Sequence, residues 1–179
     1  MNDRPVLLLT GVPGVGKTTL IRRIAERLHG IDIAGFYTEE IRRDHQRVGF
    51  RLVNLRGGSG VIAHTDIHSP YRVSRYGVDI AAIDRLVTEA LDVEEARVYL
   101  VDEIGKMECL SETFVERMRR LLDCGKPLIA TVALRGGGFI AEVKRLPDIE
   151  LWQVTRTNRD SLVDDALKWL ERRGVRPAD

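Results

Sequence analysis

The amino-acid sequence predicts an α/β fold, with a mainly parallel sheet flanked by helices and an antiparallel β-rich insertion around residues 39–64. Three observations carry this. Short, continuously apolar runs at residues 5–10 (PVLLLT), 97–102 (RVYLVD) and 127–132 (PLIATV) have the length and composition of strands buried on both faces. Segments with apolar residues at helical spacing lie between them, so strand and helix alternate. A glycine-rich octapeptide, GVPGVGKT at residues 11–18, separates the first strand from the first helix.

The elements follow in order. Residues 5–10 form the first strand. Leu20, Ile21, Ile24, Ala25 and Leu28 then mark one face of a helix. Residues 33–38 (IAGFYT) are the second strand. Residues 47–55 and 60–64 read as antiparallel strands joined by a turn containing Gly57, Gly58 and Gly60, a hairpin or meander appended at one sheet edge. Ile80, Ile83, Leu86, Val87 and Leu91 predict a helix, and residues 97–102 a buried strand. Ser111 opens a helix that turns Phe114, Val115, Met118, Leu121 and Leu122 inward. Residues 127–132 form the next strand, and Gly136, Gly137 and Gly138 a mobile loop. Residues 149–155 are the last strand and 162–170 the last helix, with Trp169 covering the core edge. No linker, low-complexity segment or internal repeat interrupts the chain, so residues 1–179 are expected to form a single domain.

Composition excludes several classes. With 44% hydrophobic and 31% charged residues, the 179-residue chain can bury a proper core. A net charge of +1 offers no bulk attraction to nucleic acid or to a membrane surface. No apolar run approaches membrane-spanning length, and the first residues lack a signal-peptide pattern, so the expected compartment is the cytoplasm. Cys109 and Cys124 have neither C-x-x-C spacing nor a histidine partner and are expected to be reduced thiols. His29, His45, His64 and His68 show no ligand spacing. The chain is expected to work as a monomer.

The octapeptide carries the chemistry. Gly11, Gly16, Lys17 and Thr18 fill every fixed position of the phosphate-binding pattern G-x-x-x-x-G-K-[ST]. Successive backbone amides must turn inward around a phosphate, and glycines permit that curvature. Lys17 then reaches the β- and γ-phosphates, and the Thr18 hydroxyl ligates Mg²⁺. The following helix aims its positive end at the same anion. Nucleotide contacts are therefore assigned to Gly11, Val12, Pro13, Gly14, Val15, Gly16, Lys17, Thr18 and Thr19.

A phosphate loop needs a second acidic contributor, normally at the end of a buried strand. Val98, Tyr99, Leu100 and Val101 lead into Asp102 and Glu103, at the carboxyl end of the strand where open parallel sheets bind ligands. Asp102 is the candidate metal residue with Thr18. Glu103 is the candidate base for the attacking water, and Lys17 acts with it in catalysis. Adjacent side chains leave a strand in opposed directions, so the strand is expected to end at Asp102, letting Glu103 turn in. Asp102, Glu103, Ile104 and Gly105 also match the D-x-x-G of GTPases. However, residues 157–160 (TNRD) lack the lysine of a guanine-reading motif, so no base specificity follows. Thr131, at the end of the next strand, is a candidate sensor of the γ-phosphate or water. Lys106, Arg135, Arg156 and Arg159 are candidates for stabilising the transition-state charge.

Longer strings are more specific. Residues 35–40 (GFYTEE), 49–51 (GFR), 101–108 (VDEIGKME) and 158–160 (NRD) occur in this order, and through them the chain resembles the thermophile-type nucleoside-triphosphatase family over nearly its whole length. The resemblance implies a P-loop α/β domain of the RecA-like branch. It implies Mg²⁺-dependent hydrolysis of ATP, GTP, CTP and UTP with little base preference, and of diphosphates more weakly. It places nucleotide contacts on residues 12–19 and on Val98, Tyr99, Leu100, Val101, Asp102, Glu103, Ile104 and Gly105, and turns Glu39 and Glu40 toward the catalytic side after the second strand. The chain departs from the family at Gly136-Gly137-Gly138, where a less glycine-rich stretch is expected beside Arg135. Two other functions stay open from the residues alone. One is a P-loop kinase of the nucleoside or nucleotide type. The other is a non-enzymatic module switched by bound nucleotide.

Overall fold

The structure, a computed structural model, describes residues 4–92 and 94–176. Among them runs one nine-stranded sheet. Its strands are β1 (Val6–Thr10), β2 (Ile33–Arg43), β3 (Gln46–Asn54), β4 (Ser59–His64), β5 (Arg72–Val73), β6 (Tyr76–Val78), β7 (Val98–Ile104), β8 (Leu128–Val132) and β9 (Glu150–Gln153). The helices are α1 (Lys17–Arg27), α2 (Ile80–Leu91), α3 (Glu112–Asp123), α4 (Phe139–Val143) and α5 (Ser161–Glu171), with a short 3₁₀ turn over Glu108–Leu110.

The spatial order is β5-β6-β4-β3-β2-β7-β8-β1-β9. Strands β2, β7, β8, β1 and β9 run parallel, whereas β3, β4, β6 and β5 continue the sheet antiparallel. The α/β class, the parallel core flanked by helices and the antiparallel addition are as expected, and the addition runs on past residue 64 to Val78, making the whole sheet mixed. Strand β8 stands between β1 and β7, so the phosphate loop and the Asp102 strand are separated by one strand whose end carries Thr131.

Strand β2 is the hinge of the architecture and longer than the sequence suggests. Its first half pairs parallel with β7 and its second half antiparallel with β3, through Arg43. The charged run after Thr38 looks unlike a strand because it is not buried. In a two-stranded ribbon, cross-strand partners rather than burial hold the pairing, and here Glu40 meets Arg47 at 2.8 Å. Gly35, at φ +123°, is required where β2 passes β7, since a Cβ there would stand 1.8 Å from the Leu100 carbonyl oxygen.

Alternation along the strands sends side chains to two cores. Leu8, Phe36, Val101, Phe114 and Met118 pack on the face covered by α2 and α3. Leu7, Leu9, Leu20, Ile24 and Trp169 pack on the face covered by α1 and α5. Trp169 is fully buried rather than at the core edge, and its indole N–H donates to Glu150 at 2.7 Å. Ser111 caps α3 as expected, accepting from the Phe114 amide, and Asp79 caps α2 through the Ala82 amide. The sequence reading missed β5, β6 and α4, which are too short to show a period. No helix of the described residues is long and apolar enough to cross a membrane.

Candidate active site

The site forms where β1, β7 and β8 end together. The chain leaves β1 at Thr10, curls through residues 11–16 and enters α1 at Lys17. Gly14 and Gly16 have φ of +78° and +110°, which glycine adopts without strain. Gly11 is confined differently: a Cβ there would lie 2.7 Å from the Val154 carbonyl oxygen. The Lys17 side chain folds back over the loop, donating to the Gly11 carbonyl at 3.0 Å, and its ammonium lies 3.7 Å from Glu103 Oε2.

Asp102 is 2% exposed and sits at the centre of a ring of hydroxyls. Its Oδ2 accepts from Thr18 Oγ1 at 2.7 Å, and more distantly from the Thr38 amide and hydroxyl at 3.4 Å each. Its Oδ1 accepts from Thr131 Oγ1 at 2.6 Å. The sequence assignments of Thr18, Asp102 and Thr131 thus converge on one carboxylate, and Thr38 joins them unanticipated. A buried carboxylate with a hydroxyl beside it is a hard-oxygen donor set suited to Mg²⁺, which takes its remaining ligands from phosphate and water. Among the described residues no cluster of three or more His, Cys, Asp or Glu offers an all-protein metal cage.

One sequence expectation requires correction. Strand β7 does not end at Asp102; it continues to Ile104. Both carboxylates still reach the site because the pairing with β8 slips there. Val101 pairs with Ala130 and Ile104 with Val132, so Asp102 and Glu103 together stand opposite Thr131. Such an irregularity re-aims a side chain that strict alternation would send to the other face. Burial pushes the Glu103 carboxyl above its ordinary range. The Lys17 charge opposes this, and the Asp102 charge adds to it.

Glu108 lies behind Glu103 in the 3₁₀ turn and is 5% exposed. Burial, and next the Glu103 charge, push its carboxyl up to about 8, so it is neutral at pH 7. A Cβ on Gly105 would stand 2.8 Å from Glu108 Oε2 and 2.9 Å from Glu103 Oε1. The glycine in the D-E-I-G string therefore makes room for two carboxyl groups.

Glu39 and Glu40 lie inside β2 rather than after it. Glu40 is bound by Arg42 at 2.6 Å and Arg47 at 2.8 Å on the exposed ribbon, and Glu39 lies 3.8 Å from Arg22. Thr38 is the residue of that segment that bonds Asp102. Of the candidate cations, Lys106, Arg135 and Arg156 are exposed. Arg159 donates to the Val15 carbonyl at 3.1 Å and packs beneath Gly16, bracing the phosphate loop. A lysine that the sequence reading passed over, Lys144, caps α4 and donates to the carbonyls of Ala133 and Leu134 just past β8. Cys109 and Cys124 are free thiols, and burial pushes Cys109 up to about 12.

The model of the family described as NTPase matches residues 6–167. The chain belongs to this family. Members similar to it include the nucleoside-triphosphatase THEP1 of Thermotoga maritima, 38% identical over 167 residues, covering 92% of this chain and 95% of that protein. Another is the human cancer-related nucleoside-triphosphatase, 35% identical over 176 residues, with 89% and 93% covered. The crystal structure of THEP1 from the hyperthermophile Aquifex aeolicus superposes with a TM-score of 0.86 at 36% identity, over 93% of this chain and 99% of that one. The solution structure of the human cancer-related nucleoside triphosphatase gives 0.80 at 33% identity, over 93% and 97%. The family resemblance carried by the strings at residues 35–40 and 101–108 is therefore correct. As a member, the chain is an enzyme of the nucleoside-triphosphatase class, hydrolases acting on phosphoric anhydrides.

Proposed function

We propose that the chain hydrolyses ATP, GTP, CTP and UTP to the diphosphate and inorganic phosphate in a Mg²⁺-dependent reaction, and diphosphates more weakly. The observation that carries this reading is the pairing of the two carboxylates with the phosphate loop, Asp102 with Thr18 at 2.7 Å and Glu103 with Lys17 at 3.7 Å. The loop amides and Lys17 bind the phosphates. Thr18 and Asp102 are the residues that would hold Mg²⁺, which when bound neutralises charge on the β- and γ-phosphate oxygens. Glu103 orients a water and accepts its proton as the water oxygen bonds to the γ-phosphorus. The bond from that phosphorus to the β–γ bridging oxygen breaks, and the diphosphate leaves. A carboxyl raised by burial is a stronger base than a solvated one, which suits this task near neutral pH.

Water is the acceptor in this reading because the base stands beside the phosphate-binding lysine, a position that a kinase leaves to its second substrate. A monomer is the working unit in this reading. The free thiols suit a reducing, cytoplasmic setting. The test is phosphate release from each of the four triphosphates, with and without Mg²⁺, in the absence of any acceptor. Release from all four that requires Mg²⁺ is expected. Release only when an alcohol or nucleotide acceptor is added would replace the hydrolase with a kinase.

A further inference from the structure

Part of the charge balance at this site is unexplained by the residues already named. Transfer of a γ-phosphoryl group develops negative charge on its equatorial oxygens, and enzymes of this kind place a cation there in addition to the loop lysine. The four sequence candidates, Lys106, Arg135, Arg156 and Arg159, are all exposed side chains, whereas a cation worth most at such a site is one held out of solvent. Arg159 is also committed to the Val15 carbonyl.

Lys144 stands in the right place. Its helix, α4, follows the loop after β8, and the side chain folds back so that its ammonium donates to the Ala133 and Leu134 carbonyls. The Ala133 amide in turn donates to the Ile104 carbonyl at 3.1 Å, tying this corner to the residue after Glu103. The ammonium is thus held at the carboxyl edge of β7 and β8, where the sheet binds its ligands. Two carbonyls take two of its three N–H groups, and one donor remains. Lys144 is half-buried, and the partners that hold its ammonium among the described residues are these two carbonyls. Burial lowers its pKa from the usual lysine range. The Glu103 charge opposes that shift and the repulsion from Lys17 adds to it. A partly desolvated cation held near a second cation costs free energy unless an anion joins them, and a triphosphate on the loop is that anion.

We propose that Lys144 is the second cation of the site, supplied by the chain itself, whose ammonium contacts the γ-phosphoryl group of the bound triphosphate. The proposal rests on the hydrolase reading of the site. Its consequence is that turnover needs no arginine donated by a partner protein.

The test uses the purified full chain with Lys144→Met, which keeps the length and removes the charge, and Lys144→Arg, which keeps the charge. Three measurements are made: steady-state kinetics giving kcat and KM for phosphate release, binding giving the Kd of a diphosphate against that of a non-hydrolysable triphosphate analogue, and thermal melting giving Tm. In Lys144→Met, kcat is expected to fall about 10²- to 10³-fold, the range for losing one transition-state donor. Its affinity for the triphosphate analogue should weaken several-fold while diphosphate affinity stays within about twofold, and Lys144→Arg should recover most of the lost rate. Unchanged triphosphate-to-diphosphate discrimination in Lys144→Met overturns the assignment. So does a rate loss that tracks a fall in Tm and is not recovered by arginine, because Lys144 would then only cap the β8–α4 turn. The binding comparison is readable even if the wild-type chain releases no phosphate. That result would fail the hydrolase reading and leave the γ-phosphate contact to be judged on affinity.

Discussion

At the scale of single residues, the site separates binding from chemistry. Lys17→Ala removes the ammonium that spans from the Gly11 carbonyl to Glu103. It is expected to abolish turnover and sharply weaken nucleotide affinity. Asp102→Ala should lose the Mg²⁺-dependent part of binding along with activity, measured as affinity with and without the ion. Glu103→Gln keeps size and polarity but loses the base, so nucleotide affinity should stay near normal while kcat falls roughly 10²- to 10⁴-fold. A wild-type rate in that variant would remove Glu103 from the base role. Glu108 does not inherit it readily, being neutral at pH 7. Glu108 has a different signature, in stability. Its carboxyl rises from an ordinary 4.5 to about 8 on folding, so the folded state holds a proton that the unfolded chain releases. Its contribution is complete below 4.5 and is lost as pH rises through about 8. Glu108→Gln mimics the protonated form. Thermal melts are expected to show the wild-type Tm declining between pH 5 and 8 more steeply than that of the variant, with parallel declines counting against a buried neutral Glu108.

At the scale of elements, the parallel half of the sheet rests on tight strand contacts, whereas the insertion rests on polar pairs. Gly35→Ala would drive a Cβ into the Leu100 carbonyl at a backbone angle that alanine avoids. It is expected to cost about 3 kcal/mol or more, read from denaturant unfolding. Glu40→Ala, by contrast, removes exposed pairs with Arg42 and Arg47 and should cost under about 1 kcal/mol. If the two variants were equally stable, β2 and β7 would not be as close as the geometry requires. The segment after Thr38 looked like the start of an insertion because its residues are charged. It is a strand because β3 supplies partners for those charges.

At the scale of the whole molecule, the open end of the parallel sheet presents a built phosphate site, and no guanine-reading lysine appears among residues 157–160. Catalytic efficiency across ATP, GTP, CTP and UTP is therefore expected to vary by less than about 10³-fold, since larger discrimination needs a buried group that hydrogen-bonds the base. A steeper preference in competition assays would mean that some element of the chain reads the base directly.

The sequence by itself determined the phosphate loop, the alternation of strand and helix, the carboxylates at the end of the third parallel strand and the family. Each of these is local: a fixed spacing of residue types or a run of apolar side chains enforces it. Only the tertiary structure decided which separate segments meet. Thr131 was visible as a strand-end hydroxyl, but its 2.6 Å bond to Asp102 depends on β8 lying beside β7. Thr38 and Lys144 carry no motif and became visible only when the middle of β2 was seen to bond Asp102 and the end of α4 to fold back onto the carbonyls after β8. The slip in pairing that aims both Asp102 and Glu103 inward is a property of two strands in register, and no single strand contains it.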